Sequence, residues 1–195
     1  MTEWKLFAGD VAEVSTAAFH EHRERAPHLE QPIHRERLMT AAQFVFVAAN
    51  LGARTVSDLG CGDGGLLSLI HNQVKAWGYD FAPANIRGWV EREVEASFLD
   101  VFGADRDQVQ FGDVTVVTEV LEHLTDPRGA VQWIGRNSRF IVASSPWDEN
   151  DQSHDPCHAW AFDRPGYAAL IEQGGYRLLQ HVNVGRFQVV LGMKS

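Results

Sequence analysis

The chain has 195 residues, 45% hydrophobic and 22% charged, with a formal net charge of −9 at neutral pH. That size and balance fit one globular domain with a buried core. The acidic surplus works against non-specific binding to nucleic acid, which needs clustered Lys and Arg to displace counterions. The longest apolar runs, Phe44–Ala49 and Val114–Val117, fall far short of the roughly 20 residues that cross a bilayer, so no membrane span is expected. The opening Met-Thr-Glu-Trp-Lys lacks the basic-then-apolar order of a signal peptide, which makes the cytoplasm the expected location. Cys61 and Cys157 show neither disulfide nor zinc-knuckle spacing and are expected to be reduced. The pattern leaves the oligomeric state open.

In chain order, Val11–Arg25 and His34–Leu51 carry apolar residues at helical spacing, and the Ala26–Pro27 and Gln31–Pro32 pairs break them apart. The Arg and His residues from His20 to Arg37 alternate with Glu21, Glu24, Glu30 and Glu36, as on a solvated helical face with scattered surface histidines. Thr55–Leu59 is a β-favouring run that ends in glycines, and Leu66–Val74 resumes a helical pattern. Ala76–Tyr79 reads as a second strand ending at Asp80, Ala84–Val94 as a helix, and Ala96–Leu99 as a weak third strand ending at Asp100. Val114–Val117 has the continuous apolar character of a central parallel strand. Asp126–Pro127 caps a helix through Ala130–Ile134, and Phe140–Ala143 is the next strand. Asp163-Arg164-Pro165 starts a helix that Gly174 and Gly175 stop, and Arg177–Val184 and Phe187–Met193 form a closing hairpin.

This alternation predicts an α/β fold: a doubly wound, mostly parallel seven-stranded sheet with an antiparallel edge strand. Residues 1–53 form a helical N-terminal extension or lid, and residues 54–195 the sheet domain. Ligands of such sheets lie beyond the carboxyl ends of the strands. There the sequence places glycines and Asp63, then Asp80, Asp100 and Glu119.

Asp58-Leu59-Gly60-Cys61-Gly62-Asp63-Gly64-Gly65 puts glycines where a strand turns into a helix and a ligand approaches the backbone. Gly60, Gly62 and Gly65 also satisfy the G-x-G-x-x-G pattern of dinucleotide folds, with Asp80 near the spacing of a ribose-binding acid. An NAD(P)-dependent oxidoreductase is therefore one reading, and a non-catalytic cofactor-binding protein another. Asp58 argues against a diphosphate, since a carboxylate beside it is repulsive. A cation without phosphate suits the acids better.

The run Val56 to Gly64 resembles the first motif of class I S-adenosylmethionine-dependent methyltransferases. Asp80, Asp100-Val101, and Val116-Val117-Thr118-Glu119-Val120-Leu121-Glu122-His123-Leu124 resemble that family's later motifs in order, over roughly Val56 to Gly175. The resemblance implies S-adenosyl-L-methionine as cofactor, bound by Asp58, Gly60, Cys61, Gly62, Asp80, Phe81, Asp100, Val101 and Glu119. Gly60 and Gly62 would line the methionine end, Asp80 would accept the ribose hydroxyls, Phe81 would flank adenine, and Asp100 with Val101 would read its amino edge. The acceptor would be an oxygen or nitrogen of a small molecule or nucleotide.

Glu119, Glu122 and His123 are spaced to share one face if the segment turns helical, and two carboxylates with an imidazole suit a divalent cation such as Mg²⁺ or Mn²⁺. The segment resembles the metal site of small-RNA 3′-terminal 2′-O-methyltransferases, which implies a metal set of Glu119, Glu122, His123 and His158, with His154 second to His158. It equally resembles ubiquinone-pathway-type O-methyltransferases. Without a metal, His123 or His158 is the candidate general base, with Glu122 beside them. The loop Ser144–Ala161, with Pro146, Trp147 and Trp160, and the N-terminal helices are expected to choose the acceptor.

Overall fold

The computed structural model describes residues 4–6, 22, 24–147, 149–150, 153 and 155–195. Nine strands are described: β1 Trp4–Leu6, β2 Thr55–Leu59, β3 Lys75–Asp80, β4 Ala96–Phe98, β5 Val114–Thr118, β6 Phe140–Pro146, β7 Trp160–Phe162, β8 Tyr176–Val184 and β9 Phe187–Lys194. Five α-helices accompany them: α1 Pro32–Asn50, α2 Gly65–Ile70, α3 Ile86–Arg92, α4 Pro127–Asn137 and α5 Arg164–Glu172. The main sheet has the order β4-β3-β2-β5-β6-β9-β8. β4, β3, β2, β5 and β6 run parallel, and β9 pairs antiparallel with both β6 and β8. The expected antiparallel end is thus the β8–β9 hairpin, with β8 outermost. The strand order reverses between β2 and β5, which is where such sheets open a crevice.

Alternation along the strands divides the core into two faces. Val56, Val114, Val116, Phe140 and Val142 pack with α1 and α2 on one. Leu59, Val117, Ile141 and Ala143 pack with α4 and α5 on the other. Asp126 and Asp163 cap α4 and α5 by accepting from the Gly129 and Gly166 N–H groups, as Asp-x-x placement before Pro predicts. Several boundaries differ from expectation. α2 stops at Ile70 rather than Val74, and Pro83–Asn85 is a 3-10 turn leading into α3. β6 continues through Ser144 and Ser145, which are buried in the sheet despite being polar. The short β7 overlaps the end of the segment expected to be a loop, Ser144–Ala161, and pairs with β1. Most of the helix expected over Val11–Arg25 lies outside the described residues, and 24–27 carry no regular structure. No described helix is long and apolar enough to cross a membrane.

Entry into β2 is fixed by Asp113, whose Oδ2 accepts from the Arg54 N–H (2.7 Å), the Thr55 N–H (3.1 Å) and the Thr55 hydroxyl (3.0 Å). These bonds, led by that from Arg54, hold its carboxyl below the usual range. Asp113→Ala takes the acceptor from three strand-end donors and should cost about 1–3 kcal/mol in urea unfolding near pH 7. A carboxyl with a depressed folded value stabilises above its unfolded value, about 3.9, and loses that contribution on further acidification. The gap between wild type and variant should therefore narrow below about pH 4; a gap that stays constant would show that charge plays no part.

Candidate active site

The bend after β2 is pinned from three sides. The Gly60 and Cys61 N–H groups both donate to the Tyr79 carbonyl (2.9 Å each), and the Trp89 indole donates to the Gly62 carbonyl (2.7 Å). Gly60 sits at φ +79°, and a Cβ there would lie 2.5 Å from a Val120 methyl. Gly62, at φ +55°, has nothing within 4 Å of that position, so its backbone faces open space. Its N–H donates to Asp80 Oδ2 (2.9 Å), while Asp80 Oδ1 accepts from the Ala82 N–H (2.8 Å) and the Asn85 amide (3.0 Å). The carboxylate that ends β3 is thereby locked to the turn after β2.

Beyond these strand ends lies a cleft of about 830 Å³. Asp58, Gly60, Cys61, Gly62, Asp80, Phe81, Asp100, Val101 and Glu119, all of the residues expected around a cofactor, line it. Asp58 is 1% exposed and its Oδ1 has no hydrogen-bond partner. Burial pushes its carboxyl up to about 7, the charge of Asp80 adds to the rise, and Arg37 opposes it. Burial also pushes the Cys61 thiol up, with Asp58 adding to the effect. Asp63 borders the cleft too, but its Oδ2 accepts from both Arg25 (3.0 Å) and Arg92 (2.9 Å), which neutralise it and tie the 24–30 segment to α2 and α3. Cys61 and Cys157 are free thiols.

The Glu-x-x-Glu-His segment does not form the single helix face its spacing suggested. Glu119 adopts the left-handed conformation (φ +57°), its N–H donates to the Ser144 carbonyl (3.0 Å), and its Oε1 accepts from the Ser144 hydroxyl (3.0 Å). Only Leu121–His123 then form a 3-10 turn. The group that the structure does assemble is Glu122, His123 and His158, whose ligand-capable atoms lie within 4.8 Å of one another, and Glu119 is not part of it. Glu122 lies beneath the cleft rather than on its wall: it is 0% exposed, and neither carboxyl oxygen has a partner. Burial raises it well above the carboxylate range, with Glu119 next in effect. His123 and His158 do line the cleft, ring centroids 4.6 Å apart. His123 Nδ1 donates to the Cys157 carbonyl (2.8 Å), and His158 Nδ1 bonds Glu149 Oε2 (2.7 Å). His154 lies outside the described residues.

Sequence reasoning missed the opposite wall. Arg37, read as part of a solvated face, is 1% exposed and lines the cleft. Its Nη1 donates to the Ser144 hydroxyl (3.2 Å), and its guanidinium lies 5.2 Å from the Phe187 ring centroid. His34 also borders the cleft, stacked on His28 (4.3 Å between centroids) and tilted against Phe187 (5.1 Å). Burial, then the charges of Arg37 and Arg186, lower His34 to about 4, so the ring is neutral. The missed signal was periodicity: residues 34, 37, 38, 41, 45 and 48 share one face of α1, and that face is otherwise apolar. Glu149 and Arg186 had no such signal. Trp160, by contrast, serves packing: its indole donates to the Leu124 carbonyl (2.8 Å).

A family profile described as a methyltransferase domain matches residues 19–181. Among solved structures, the N-methyltransferase NodS from Bradyrhizobium japonicum WM9 in complex with S-adenosyl-l-homocysteine is 17% identical with a TM-score of 0.67, over 91% of this chain and 96% of that one. Magnesium protoporphyrin IX methyltransferase (ChlM) from Synechocystis PCC 6803 with bound SAM is 13% identical with a TM-score of 0.65, over 96% and 99%. An O-methyltransferase family protein from Burkholderia thailandensis is 16% identical with a TM-score of 0.65, over 84% of this chain, which spans 57% of that protein's length. At such identities these likenesses are of fold. No curated protein sequence matches. The profile covers most of the sequence, and the chain belongs to the methyltransferase domain family.

Proposed function

We propose that the cleft binds S-adenosylmethionine and transfers its methyl group to an oxygen or nitrogen of a small-molecule or nucleotide acceptor. Asp58 carries this reading. Its buried, unpartnered carboxyl at the foot of the glycine bend would repel a pyrophosphate and attract the α-ammonium and sulfonium of this cofactor. Asp80, whose carboxylate is fixed by backbone and Asn85 donors, accepts the ribose hydroxyls in this reading. Phe81 flanks adenine in this reading, and Asp100 with the Val101 backbone reads its amino edge. Methyl transfer from a sulfonium needs chiefly positioning and exclusion of water, and His123 and His158 stand at the cleft to take a proton from the acceptor. Residues of the 24–34 segment and α1 border the same cleft, which supports an N-terminal extension over 1–53 closing on a 54–195 domain. The free thiols fit a reducing, cytoplasmic setting.

A second reading of one corner is favoured by the Glu122, His123 and His158 group. The donor set fits a divalent cation: a buried carboxylate without partners and two rings oriented through Nδ1 by a carbonyl and a carboxylate, so that Nε2 is the nitrogen each would offer. A bound cation would polarise the acceptor hydroxyl.

The affinity for S-adenosylmethionine should depend on the ionisation of Asp58. With its carboxyl raised to about 7, the cation-binding anionic form is depleted as pH falls. The dissociation constant should therefore tighten several-fold from about pH 5.5 to pH 7, below the range in which the ligand's own amine titrates. Asp58→Asn should bind weakly with a flat profile; a pH-independent wild type would remove Asp58 from the site. For the cation, elemental analysis should find a divalent metal in protein incubated with Mn²⁺, and His158→Ala should lose it. Full methyl transfer after complete chelation would leave the histidines acting alone.

A further inference from the structure

Gly103 sits where backbone geometry does not ask for glycine. The glycines of the bend after β2 take positive φ, but Gly103 is not among the residues that do. What excludes a side chain there is Asp100: a Cβ on residue 103 would lie 2.1 Å from Asp100 Oδ2 and 2.6 Å from its Cγ. The Asp100 carboxylate thus rests against the bare backbone of Gly103, and both residues line the cleft together with Val101 and Phe102.

Asp105 fixes the backbone of the same residue. Its Oδ2 accepts from the Asp100 N–H (2.9 Å), and its own N–H donates to the Asp100 carbonyl, as does that of Gly103 (3.1 Å each). Gln108 holds this clamp by donating its amide to Asp105 Oδ1 (2.8 Å). The turn is anchored to α4 through Trp133, whose ring meets Phe102 edge-on (6.0 Å between centroids) and has the Arg106 guanidinium 4.4 Å from its centroid. Asp100 is therefore gripped at its backbone by Asp105 and given room for its carboxylate by Gly103. A carboxylate so held accepts hydrogen bonds and donates none, so it tells an amino group from an oxo group. An oxo group in the same place would set lone pairs against a negative charge with no proton between them.

We propose that Gly103 and Asp105 are positioning residues which, by placing the Asp100 carboxylate, set the cleft's preference for a 6-aminopurine nucleoside over its 6-oxo counterpart. The proposal rests on the S-adenosylmethionine reading of the cleft and adds the residues that make its base selection. Both act through Asp100, so the readout is selection between bases rather than affinity alone.

Calorimetric titrations of wild type, Gly103→Ala, Asp105→Ala and Asp105→Asn test this. The probes are S-adenosylhomocysteine and S-inosylhomocysteine, which carries an oxo group in place of the adenine amino group. Wild type should bind the adenosyl ligand about tenfold or more tightly than the inosyl one, the scale of one hydrogen bond to a charged group. Gly103→Ala should push the carboxylate aside, weaken S-adenosylhomocysteine about tenfold, and leave S-inosylhomocysteine within about twofold of wild type. Asp105→Ala should lose most of the same preference. Asp105→Asn keeps an oxygen to accept from the Asp100 N–H and should retain it. The nearest atoms that the added methyl meets all belong to the Asp100 carboxyl, so the ligand-free thermal midpoint of Gly103→Ala should match or exceed that of wild type. The proposal is overturned if wild type binds the two ligands alike, if Gly103→Ala weakens both equally or neither, or if Asp105→Asn loses the preference as fully as Asp105→Ala. Failure of wild type to bind S-adenosylhomocysteine would instead sink the cofactor reading itself.

Discussion

The cleft is organised by the carboxylates that four parallel strands carry at or near their ends, Asp58, Asp80, Asp100 and Glu119, with Asp58 fully buried. β2 delivers Asp58 into the interior at the point where the strand order reverses, and nothing described in the protein completes its hydrogen bonding. The glycine bend above it is rigid, tied to β3 through the Tyr79 carbonyl and the Asp80 carboxylate. A rigid bend over an unsatisfied acid is a preorganised receptor for a cation, because the cost of burying the acid is met by folding and need not be met again on binding.

The same constraint explains the distribution of strain and unpaired groups. Glu119 takes a left-handed conformation to bond Ser144 at both backbone and side chain, and Glu122 is buried with two unpartnered oxygens. Arg37 enters from α1 against the same Ser144 hydroxyl. Acids and a guanidinium therefore share one strand end without forming a direct salt bridge. Such arrangements subtract from the stability of the empty protein, and they collect where a ligand completes them. Asp63 shows the contrast: its ion pairs with Arg25 and Arg92 make it a structural fastener.

Much of the architecture was legible because several strands are short apolar runs closed by Gly or Asp, and two helices open on an Asp cap followed within two residues by Pro. Thr55–Leu59 and the capping at Asp126 and Asp163 follow from local rules alone. The cofactor-side residues were legible for a related reason: they are strand-end residues, and topology brings strand ends together. What local rules could not show was tertiary. β7 exists through pairing with β1, far away in sequence, and β6 keeps Ser144 and Ser145 because buried hydroxyls are satisfied there by the Glu119, Arg37 and Gln188 side chains. Positions 119, 122 and 123, three and four residues apart, suggested one helix face, but the positive φ at Glu119 breaks it. Arg37 was hidden by composition, since a charged residue among alternating charges reads as exposed unless the helical period is followed through it.

The central claim is that the crevice accepts a phosphate-free, cationic nucleoside. Thermal unfolding of the full chain with saturating S-adenosylhomocysteine, in parallel with NADH and NADPH, tests it most directly. A ligand raises the midpoint only by preferring the native state, by about 2.7 kcal/mol at a hundredfold excess over its dissociation constant. The account predicts a rise of several degrees with S-adenosylhomocysteine and none with either dinucleotide. A rise with NADH or NADPH, and none with S-adenosylhomocysteine, would contradict it.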